Sequence, residues 1–172
     1  MMTTDLEFKS EFAAGMRKAA SSVCVVTTEG PSGRFGVTVS SMTSVSMEPP
    51  SILVCVNKDN FVASAVLGNR VFCVNMLRED QSSISDLFAG RQGSEINRFE
   101  CGRWTESQTK CPALLGAATV FDCSLAESHL FGSHVVLIGK VVSVVNHPTS
   151  LALVYHDRKY CTITPSIRHG SP

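Results

Sequence analysis

A run of hydroxyl side chains between residues 38 and 46 is the part of this sequence best suited to chemistry. Six of its nine residues are serine or threonine, and the apolar residues Val39, Met42 and Val45 separate them. A polar turn at residues 57–60 follows, and it contains the cation of Lys58. Hydroxyl groups, a lysine and a turn that opens a helix are all suited to binding a phosphate group. A solvated strand edge rich in serine and threonine explains the same pattern without a ligand.

The composition is that of one compact domain. The chain has 172 residues, of which 44% are hydrophobic and 17% charged, so it can bury a core of its own. Its 15 basic and 15 acidic residues cancel, which argues against nucleic acid or an acidic membrane surface as a partner. No stretch approaches the ~18 apolar residues of a membrane-spanning helix.

The cysteine pattern indicates reduced thiols. There are seven cysteines without a C-x-x-C pair, and Cys24, Cys55, Cys73 and Cys123 lie inside apolar runs. A reduced cysteine in such a run acts as a small hydrophobic side chain. Because no secretory signal is present, we expect a cytoplasmic protein. Two further cysteines, at 101 and 111, lie in a polar segment that lacks suitably spaced histidines, so no metal site is predicted.

The elements that position these residues follow from periodicity and turn residues. Thr4 and Glu7 form a capping box that opens a helix, with Phe8, Phe12 and Met16 on one apolar stripe. Shorter helices are predicted at 60–67 and 81–88. Strands are predicted at 23–28, 35–40, 51–56, 70–77, 119–125, 135–145 and 155–163. Because short turns join most of the strands and regular βα alternation is absent, the pattern favours an antiparallel barrel.

Short motifs occur in a definite order along almost the whole chain. They are Gly15-Met16-Arg17, residues 25–28, residues 36–46 with Glu48-Pro49-Pro50, residues 72–77, Arg98-Phe99 with Trp104, residues 112–117, Gly132-Ser133-His134, residues 138–141 and residues 154–160. Their ordered combination resembles the flavin reductase family, the small components that supply reduced flavin to two-component monooxygenases. Ser133 and Asn97 stand where family members often have aspartate.

The resemblance implies a fold and an assembly. It implies a mainly β chain with a few helices, folded as an antiparallel Greek-key FMN-binding split barrel. A single domain would occupy residues 1–172, with its core at about 8–163. It also implies a homodimer in which two subunits complete the flavin site, and the high apolar content fits a buried interface.

The resemblance also implies the roles of individual residues. His134 would be the catalytic residue on the nicotinamide side. Asn57, Lys58 and Asn60 would hold the flavin phosphate. The complete set of predicted cofactor-binding residues is Val37, Thr38, Val39, Ser40, Ser41, Ser44, Val45, Ser46, Asn57, Lys58, Asn60, Asn75, Arg98 and His156.

Several of these residues also have readings without a ligand, and for His134 it is a satisfied histidine at a strand end. Lys58 is also explained as a solvated surface lysine, and Asn75 either donates to the ring edge or caps a strand end. Arg98 reaches a phosphate or pyrophosphate, or forms a surface ion pair. His156 either lines the same face as His134 or contacts no ligand.

The function implied is an NAD(P)H-dependent reductase of FMN or FAD that supplies a partner flavin-dependent monooxygenase. NADH is favoured over NADPH because no arginine cluster for a 2′-phosphate stands out. One alternative is a flavoprotein corrin reductase that acts on cob(II)yrinic acid a,c-diamide. A second alternative is a flavin-binding module without turnover, although such a module would not need His134.

Overall fold

The computed structural model describes residues 4–90 and 97–164. The described part contains the helices α1 (Asp5–Met16), α2 (Phe61–Asn69) and α3 (Ser82–Phe88) and a 3-10 turn at Arg98–Glu100. The strands are β1 (Ser21–Ser22), β2 (Cys24–Thr28), β3 (Phe35–Val39), β4 (Thr43–Met47), β5 (Pro50–Asn57), β6 (Val71–Met76), β7 (Trp104–Glu106), β8 (Pro112–Leu114), β9 (Thr119–Phe131), β10 (His134–Asn146), β11 (Val154–His156) and β12 (Lys159–Cys161).

Seven strands form one antiparallel sheet in the order β3-β2-β6-β9-β10-β5-β4. The two outer strands, β3 and β4, are consecutive in the chain, so the sheet must curve to bring its edges together. Ser41, in the link between them, donates its hydroxyl to the Cys55 carbonyl at 3.0 Å and accepts from the Cys55 N–H at 2.9 Å. The predicted antiparallel architecture is therefore what the chain forms.

Two hydrophobic cores lie on opposite sides of the strands β2 and β6. One core fills the inside of the curved sheet and includes Val26, Val54 and Phe72. The other lies beneath α3 and the short strands and includes Val25 and Phe88. All five residues of β2 are buried, so its sequence does not alternate between apolar and polar residues, and its two threonines donate their hydroxyls to backbone carbonyls.

The structure differs from the predicted elements in several places, and the short strands β1, β7 and β8 were not predicted. Strand β4 was not predicted, because its serines and threonines are not typical of a buried strand. The predicted strand at 155–163 is a hairpin of β11 and β12, with Asp157 and Arg158 at φ 44° and 63° in its turn. The predicted strand at 119–125 continues to Phe131, because it pairs with β10 far beyond the core.

The helix α1 begins as predicted, but its apolar stripe is not packed against the rest of the chain. Thr4 and Glu7 form the predicted capping box, with the Glu7 carboxylate 2.7 Å from the Thr4 N–H. Its apolar residues are exposed, with Phe8 at 62% and Phe12 at 65%, and none of its residues is buried. Within the described residues, no helix combines the length and apolar composition that crossing a membrane requires.

Candidate functional site

A cavity of about 310 Å³ opens where the curved sheet is not closed by backbone hydrogen bonds. Among the described residues, strand β3 pairs with β2 alone and β5 pairs with β4 only as far as Leu53, so residues 54–57 of β5 face β3 across a gap. We call this the seam cavity. It is lined by Val37, Thr38, Val39, Ser40, Ser41, Cys55, Val56, Asn57, Asn60 and His134.

The three hydroxyl groups of the seam cavity have different surroundings. Thr38 donates to the Ser85 carbonyl at 2.7 Å and so ties β3 to α3. Ser41 exchanges two hydrogen bonds with the backbone of Cys55. Ser40 is exposed and has no side-chain hydrogen bond among the described residues, so its hydroxyl is the one left to meet a ligand.

Two asparagines form the amide end of the seam cavity. The side-chain Oδ1 of Asn57 accepts a hydrogen bond from the Asp59 N–H at 2.9 Å. The side-chain Oδ1 of Asn60 accepts from the Val62 N–H at 3.0 Å and caps α2. Because each carbonyl is used within the protein, the two NH₂ groups remain as donors. The N-terminus of α2, with its partial positive charge, lies at the same place. This end of the cavity is therefore suited to an anion.

Lys58 belongs to the same turn, but the structure does not place it among the residues that line the cavity. Its backbone N–H donates to the Ser133 carbonyl at 3.0 Å, and its side chain is exposed. Lys58 as a direct phosphate ligand stays a prediction: its backbone bond fixes the turn, and its ammonium group lies in solvent in the single chain.

His134 lies at the rim of the seam cavity, directly across the ladder from Asn57. The side chain is exposed, and its Nδ1 is 2.9 Å from the Ser133 hydroxyl. Ser133 thus provides the hydrogen-bond partner of the imidazole in place of an aspartate. The structure brings His134 to the amide end of the cavity, although 74 residues separate it from Asn60 in the sequence.

Ser44, Val45 and Ser46 do not line the seam cavity. They lie on β4, and Ser44 and Ser46 border a separate apolar cleft of about 500 Å³ that also includes Met47 and Val144. The Ser46 hydroxyl accepts from the Glu48 N–H at 3.0 Å. In the single chain the link at residues 40–42 turns these residues away from the seam cavity, so their predicted contact with the same ligand as Ser40 stays a prediction.

Asn75 is fully buried and holds three strands together. Its NH₂ group donates to the Val25 carbonyl at 3.0 Å and to the Thr27 hydroxyl at 3.1 Å. Its carbonyl oxygen accepts from the Leu114 N–H at 2.7 Å. The single chain shows no path from Asn75 to a flavin ring, because the side chain is enclosed on the side of β6 that faces the second core, and the predicted ring contact stays a prediction.

Arg98 lines a different cavity, of about 550 Å³, which we call the arginine cavity. This cavity shares Asn60 with the seam cavity, so the two meet at the start of α2. The structure therefore separates Arg98 from the hydroxyl groups of β3 but keeps it beside the predicted phosphate end. The other lining residues are Arg34, Phe35, Gly36, Asp59, Phe61, Val62, Asn97 and Phe99.

His156 lies on β11 and does not line the seam cavity. Its Nδ1 is buried and has no hydrogen-bond partner within the described residues. The predicted cofactor contact of His156 is not visible in a single chain. A buried ring nitrogen without a partner costs free energy, so an atom from another molecule would stabilise it.

Several lining residues were missed by sequence reasoning. Cys55 and Val56 were assigned to a core strand, yet Cys55 is only half-buried and both line the seam cavity. A small cavity of about 140 Å³ continues from Thr38 and Ser40 towards Tyr155 and Tyr160. The alternation of half-buried and buried residues along β5 is visible in the structure, but an unbroken apolar run hides it in the sequence.

A second cluster of reactive groups lies away from the seam cavity. Cys73, Cys111 and Asp122 are buried, and the two Sγ atoms and a carboxylate oxygen lie within 4.8 Å of one another. The hydrogen bond from Cys73 lowers the pKa of Cys111 to about 7, and the same bond together with burial raises the pKa of Cys73. The sequence suggested that Cys73 is a small hydrophobic side chain. In the structure it is part of a polar network instead.

The donor set of the seam cavity fits a flavin mononucleotide. The described residues that line it include hydroxyl and amide groups, a helix N-terminus and no carboxylate, so the cavity is suited to a phosphate group. Val37, Val39 and Val56 supply an apolar surface for a flat ring. The geometry thus provides both requirements of the ligand that the sequence predicted.

Comparison with known proteins gives a consistent result over nearly the whole chain. The family model described as "Flavin reductase like domain" matches residues 16–164. FMN reductase (NADH) RutF of Enterobacter cloacae is 38% identical over 152 residues, which are 88% of this chain and 92% of the relative. FMN reductase (NADH) RutF of Ancylobacter novellus is 39% identical over 152 residues, 88% of this chain and 83% of the relative.

A solved structure agrees with the sequence relatives. BorF, the flavin reductase component of a bacterial two-component tryptophan halogenase, superposes with a TM-score of 0.83 at 29% identity. The match covers 92% of this chain and 99% of BorF.

Proposed function

The chain belongs to the flavin reductase like domain family, and we propose that it transfers hydride from NADH to FMN bound in the seam cavity. The membership bears out the predicted family, the split-barrel fold and the oxidoreductase activity. NADH and FMN are the cofactors in the names of the two sequence relatives, which favours them over NADPH and over a corrin acceptor.

One observation supports the choice of ligand above the others: the seam cavity combines free amide and hydroxyl donors with the N-terminus of α2. In the proposal, Asn57 and Asn60 donate to the flavin phosphate. Ser40 donates to a second polar group of the same ligand, and Val37 and Val56 contact the ring. Ser41 acts indirectly, because its hydroxyl holds β5 against the link from β3.

A bound flavin supplies the hydride-accepting ring, so the protein needs no acid–base pair of its own. What the chain contributes is position and exclusion of water. We assign His134 to the nicotinamide ring, because it is exposed at the rim where a second molecule approaches. Its contact with Ser133 holds the imidazole in one orientation.

We further propose that the protein is a homodimer and that the exposed face of α1 lies in the interface. Phe8, Phe12 and Met16 are more than half exposed in the single chain, and helices seldom leave such a stripe in water. A cavity of about 450 Å³ lies between α1 and the hydroxyls of Ser40 and Ser41, so a partner on α1 would cover the region next to the flavin site.

The proposed acceptor of the reduced flavin is a flavin-dependent monooxygenase or a related oxygen-using enzyme. BorF is the flavin reductase component of a two-component tryptophan halogenase, and this chain matches almost its full length. A corrin reductase and a flavin-binding module without turnover remain the two competing functions.

Anaerobic titration of the purified protein with NADH and NADPH, in the presence of FMN, tests the proposal. We expect NADH to bleach the flavin absorbance with one equivalent of NADH per flavin, and NADPH to act more slowly. Reduction of a corrin and not of flavin would support the first competing function. Tight FMN binding without reduction by either nucleotide would support the second.

A further inference from the structure

Two thiols lie side by side beneath a surface turn, away from the seam cavity. Cys73 is on β6, and Cys111 follows the turn at residues 107–110 and directly precedes β8. Both are fully buried, and their Sγ atoms lie within 4.8 Å of each other although 38 residues separate them in the sequence. An S–S bond requires the two sulfur atoms to approach to about 2.05 Å, so a small displacement separates this pair from a disulfide.

Hydrogen bonds hold the backbone on both sides of the pair. Cys73 lies opposite Thr27 of β2 in the sheet, and the Thr27 hydroxyl donates to the carbonyl of Pro112, the residue after Cys111. The Leu114 N–H donates at 2.7 Å to the side chain of Asn75, two residues along β6 from Cys73. The two chain segments are therefore held together whether or not the sulfur atoms are bonded.

The surroundings of Cys111 favour its thiolate. Hydrogen bonds from the Cys73 thiol, the Thr109 hydroxyl and the Glu29 N–H lower the pKa of Cys111 to about 7, although burial and the nearby carboxylate of Asp122 oppose the shift. The thiolate is the form of cysteine that attacks an oxidant. The bond to Cys111 and burial raise the pKa of Cys73, so Cys73 keeps its proton.

The turn above Cys111 gives a small oxidant a route to it. Lys110, the preceding residue, is exposed and has a φ of 69°, which is an unfavourable conformation for a residue with a side chain. Two backbone hydrogen bonds close the turn, from the Ser107 N–H to the Cys111 carbonyl and from the Lys110 N–H to the Ser107 carbonyl. Opening them exposes Cys111 while β6 stays in the sheet.

Asp122 makes the cluster less suited to a metal ion than to a disulfide. Its Oδ1 accepts from the Thr109 hydroxyl at 2.6 Å and its Oδ2 from the Thr109 N–H at 2.8 Å, so the carboxylate is satisfied without a cation. A structural zinc site has four protein ligands, and the described residues supply three here. The two sulfur atoms are therefore the reactive part of the cluster.

We propose that Cys73 and Cys111 form a reversible disulfide when the protein meets hydrogen peroxide. The Cys111 thiolate attacks one peroxide oxygen, the O–O bond breaks, and the departing hydroxide takes a proton from solvent to become water. The Cys73 sulfur then attacks the sulfur of the sulfenic acid on Cys111, the S–O bond breaks, and the departing hydroxide leaves with the Cys73 proton as a second water. The two thiols lose two electrons, which reduce one peroxide to two waters.

The source of the peroxide rests on the proposed function, whereas the thiol pair does not. Reduced flavin that reaches solvent passes two electrons to O₂ and gives oxidised flavin and hydrogen peroxide. The disulfide protects Cys111 in these surroundings, because a sulfenic acid without a neighbouring thiol is oxidised further to sulfinic acid, which dithiols do not reverse.

The test treats the reduced, full-length protein with about one equivalent of hydrogen peroxide per chain, in the absence of flavin. We expect two of the seven thiols to be lost, with a mass decrease of about 2 Da and a peptide map that joins Cys73 to Cys111. Dithiothreitol should restore both thiols. Because the bond closes a loop of 38 residues in the unfolded chain, the oxidised protein should melt about 5 °C or more above the reduced one.

Variants separate the roles of the two thiols. In Cys73→Ser, whose hydroxyl still donates to Cys111, we expect Cys111 to gain about 32 Da as a sulfinic acid that dithiothreitol does not remove. Cys111→Ser should consume peroxide about 10-fold more slowly than the unmodified protein. Cys161→Ser, which removes an exposed thiol, is the matched control and should form the same disulfide as the unmodified protein.

Three results would overturn the proposal. They are free Cys73 and Cys111 after peroxide has oxidised Cys161, a disulfide that joins other cysteines, and a stoichiometric metal ion in the purified protein that keeps both thiols from oxidation. Each is read on the unmodified protein, so a variant that fails to fold does not affect the decision.

The flavin source of the peroxide has a separate readout. During aerobic turnover with NADH and FMN, catalase should slow formation of the Cys73–Cys111 bond, and an equal rate with and without catalase would exclude this source. Absence of FMN reduction would instead contradict the proposed function. The peptide map after added peroxide decides the thiol pair in that case as well.

Discussion

Asn75 and Asn57 show how two residues of one type acquire different roles. Asn75 is enclosed and makes three hydrogen bonds to β2 and the β8 region, whereas Asn57 is exposed beside the seam cavity. We expect Asn75→Ala to lower the free energy of unfolding by about 2–4 kcal/mol, because buried partners lose their bonds. Chemical denaturation and FMN titration check this.

Asn57→Ala is the matched control for Asn75→Ala. It should leave the free energy of unfolding within about 0.5 kcal/mol of the unmodified protein and weaken FMN binding. Loss of FMN affinity in a stably folded Asn75→Ala protein would contradict the structural assignment of Asn75.

His134 carries the sharpest prediction about turnover. We expect His134→Ala to slow flavin reduction by NADH about 10-fold or more, because lost ordering of the nicotinamide removes productive geometry. FMN affinity should change less than about threefold. Stopped-flow reduction measured beside FMN titration separates the two effects. Since His134 pairs across from Asn57, a large loss of FMN binding would reassign it to the phosphate.

Cys24 predicts a pH dependence of stability. Burial raises its pKa to about 12 from an ordinary value of 9.0, and burial also raises that of Cys123 to about 12. Between these values the unfolded chain releases a proton that the folded chain retains, so stability is full below pH ~9 and falls as the pH rises towards ~12. The loss is roughly 1 kcal/mol per pH unit for each thiol.

Urea unfolding at about pH 8 and pH 10 measures this loss. The fall should be smaller in Cys24→Ala than in the unmodified protein, because one of the raised thiols is gone. Cys161→Ala, which removes an exposed thiol, is the control and should show the unmodified slope. Equal slopes in all three proteins would show that burial does not hold the proton on Cys24.

At the scale of the elements, the packing of β10 requires a glycine at position 139. A Cβ on Gly139 would collide with the Phe72 ring and lie 2.8 Å from the Cys123 Cβ, next to the irregularity between Ile138 and Gly139. We expect Gly139→Ala to cost about 1–3 kcal/mol of unfolding free energy, because the packed ring cannot move freely.

A double variant tests the cause of that cost. Phe72→Leu removes part of the ring, so Gly139→Ala should cost less in the Phe72→Leu background than alone. Thermal or chemical unfolding of the four proteins gives the coupling energy. Additive effects would mean that the cost of the added Cβ comes from its contact with the Cys123 Cβ and not from Phe72.

At the scale of the whole molecule, the exposed face of α1 predicts assembly. We expect a dimeric mass by light scattering at micromolar concentration, and a dissociation constant at least about 10-fold weaker in Phe12→Asp, because the charge would be buried. Ser10→Asp, on the opposite side of α1 by helical geometry, should leave the dimer intact. A monomeric unmodified protein, with FMN bound, would exclude this interface.

Much of the fold was predictable because it depends on local patterns. The capping box at Thr4, the turn at residues 30–33 and the stop after Phe88 are recognised from adjacent residues. Strand β4 and the hairpin of β11 and β12 were not predictable, since serines gain strand structure only by pairing with β5. The turn at Asp157 and Arg158 has positive φ angles, and the sequence lacks the glycine or asparagine that usually marks such a turn.

The candidate site also has a part that the sequence predicted and a part that only the tertiary structure determined. The sequence predicted the hydroxyl run and the turn with Asn57 and Asn60 from residue types, and His134 from the family resemblance. Only the tertiary structure decided that Ser40 faces the cavity, that Asn75 does not, and that Arg34 and Arg98 share a space. These facts depend on which edges of a curved sheet meet, and contacts between residues far apart in the chain leave no local pattern to read.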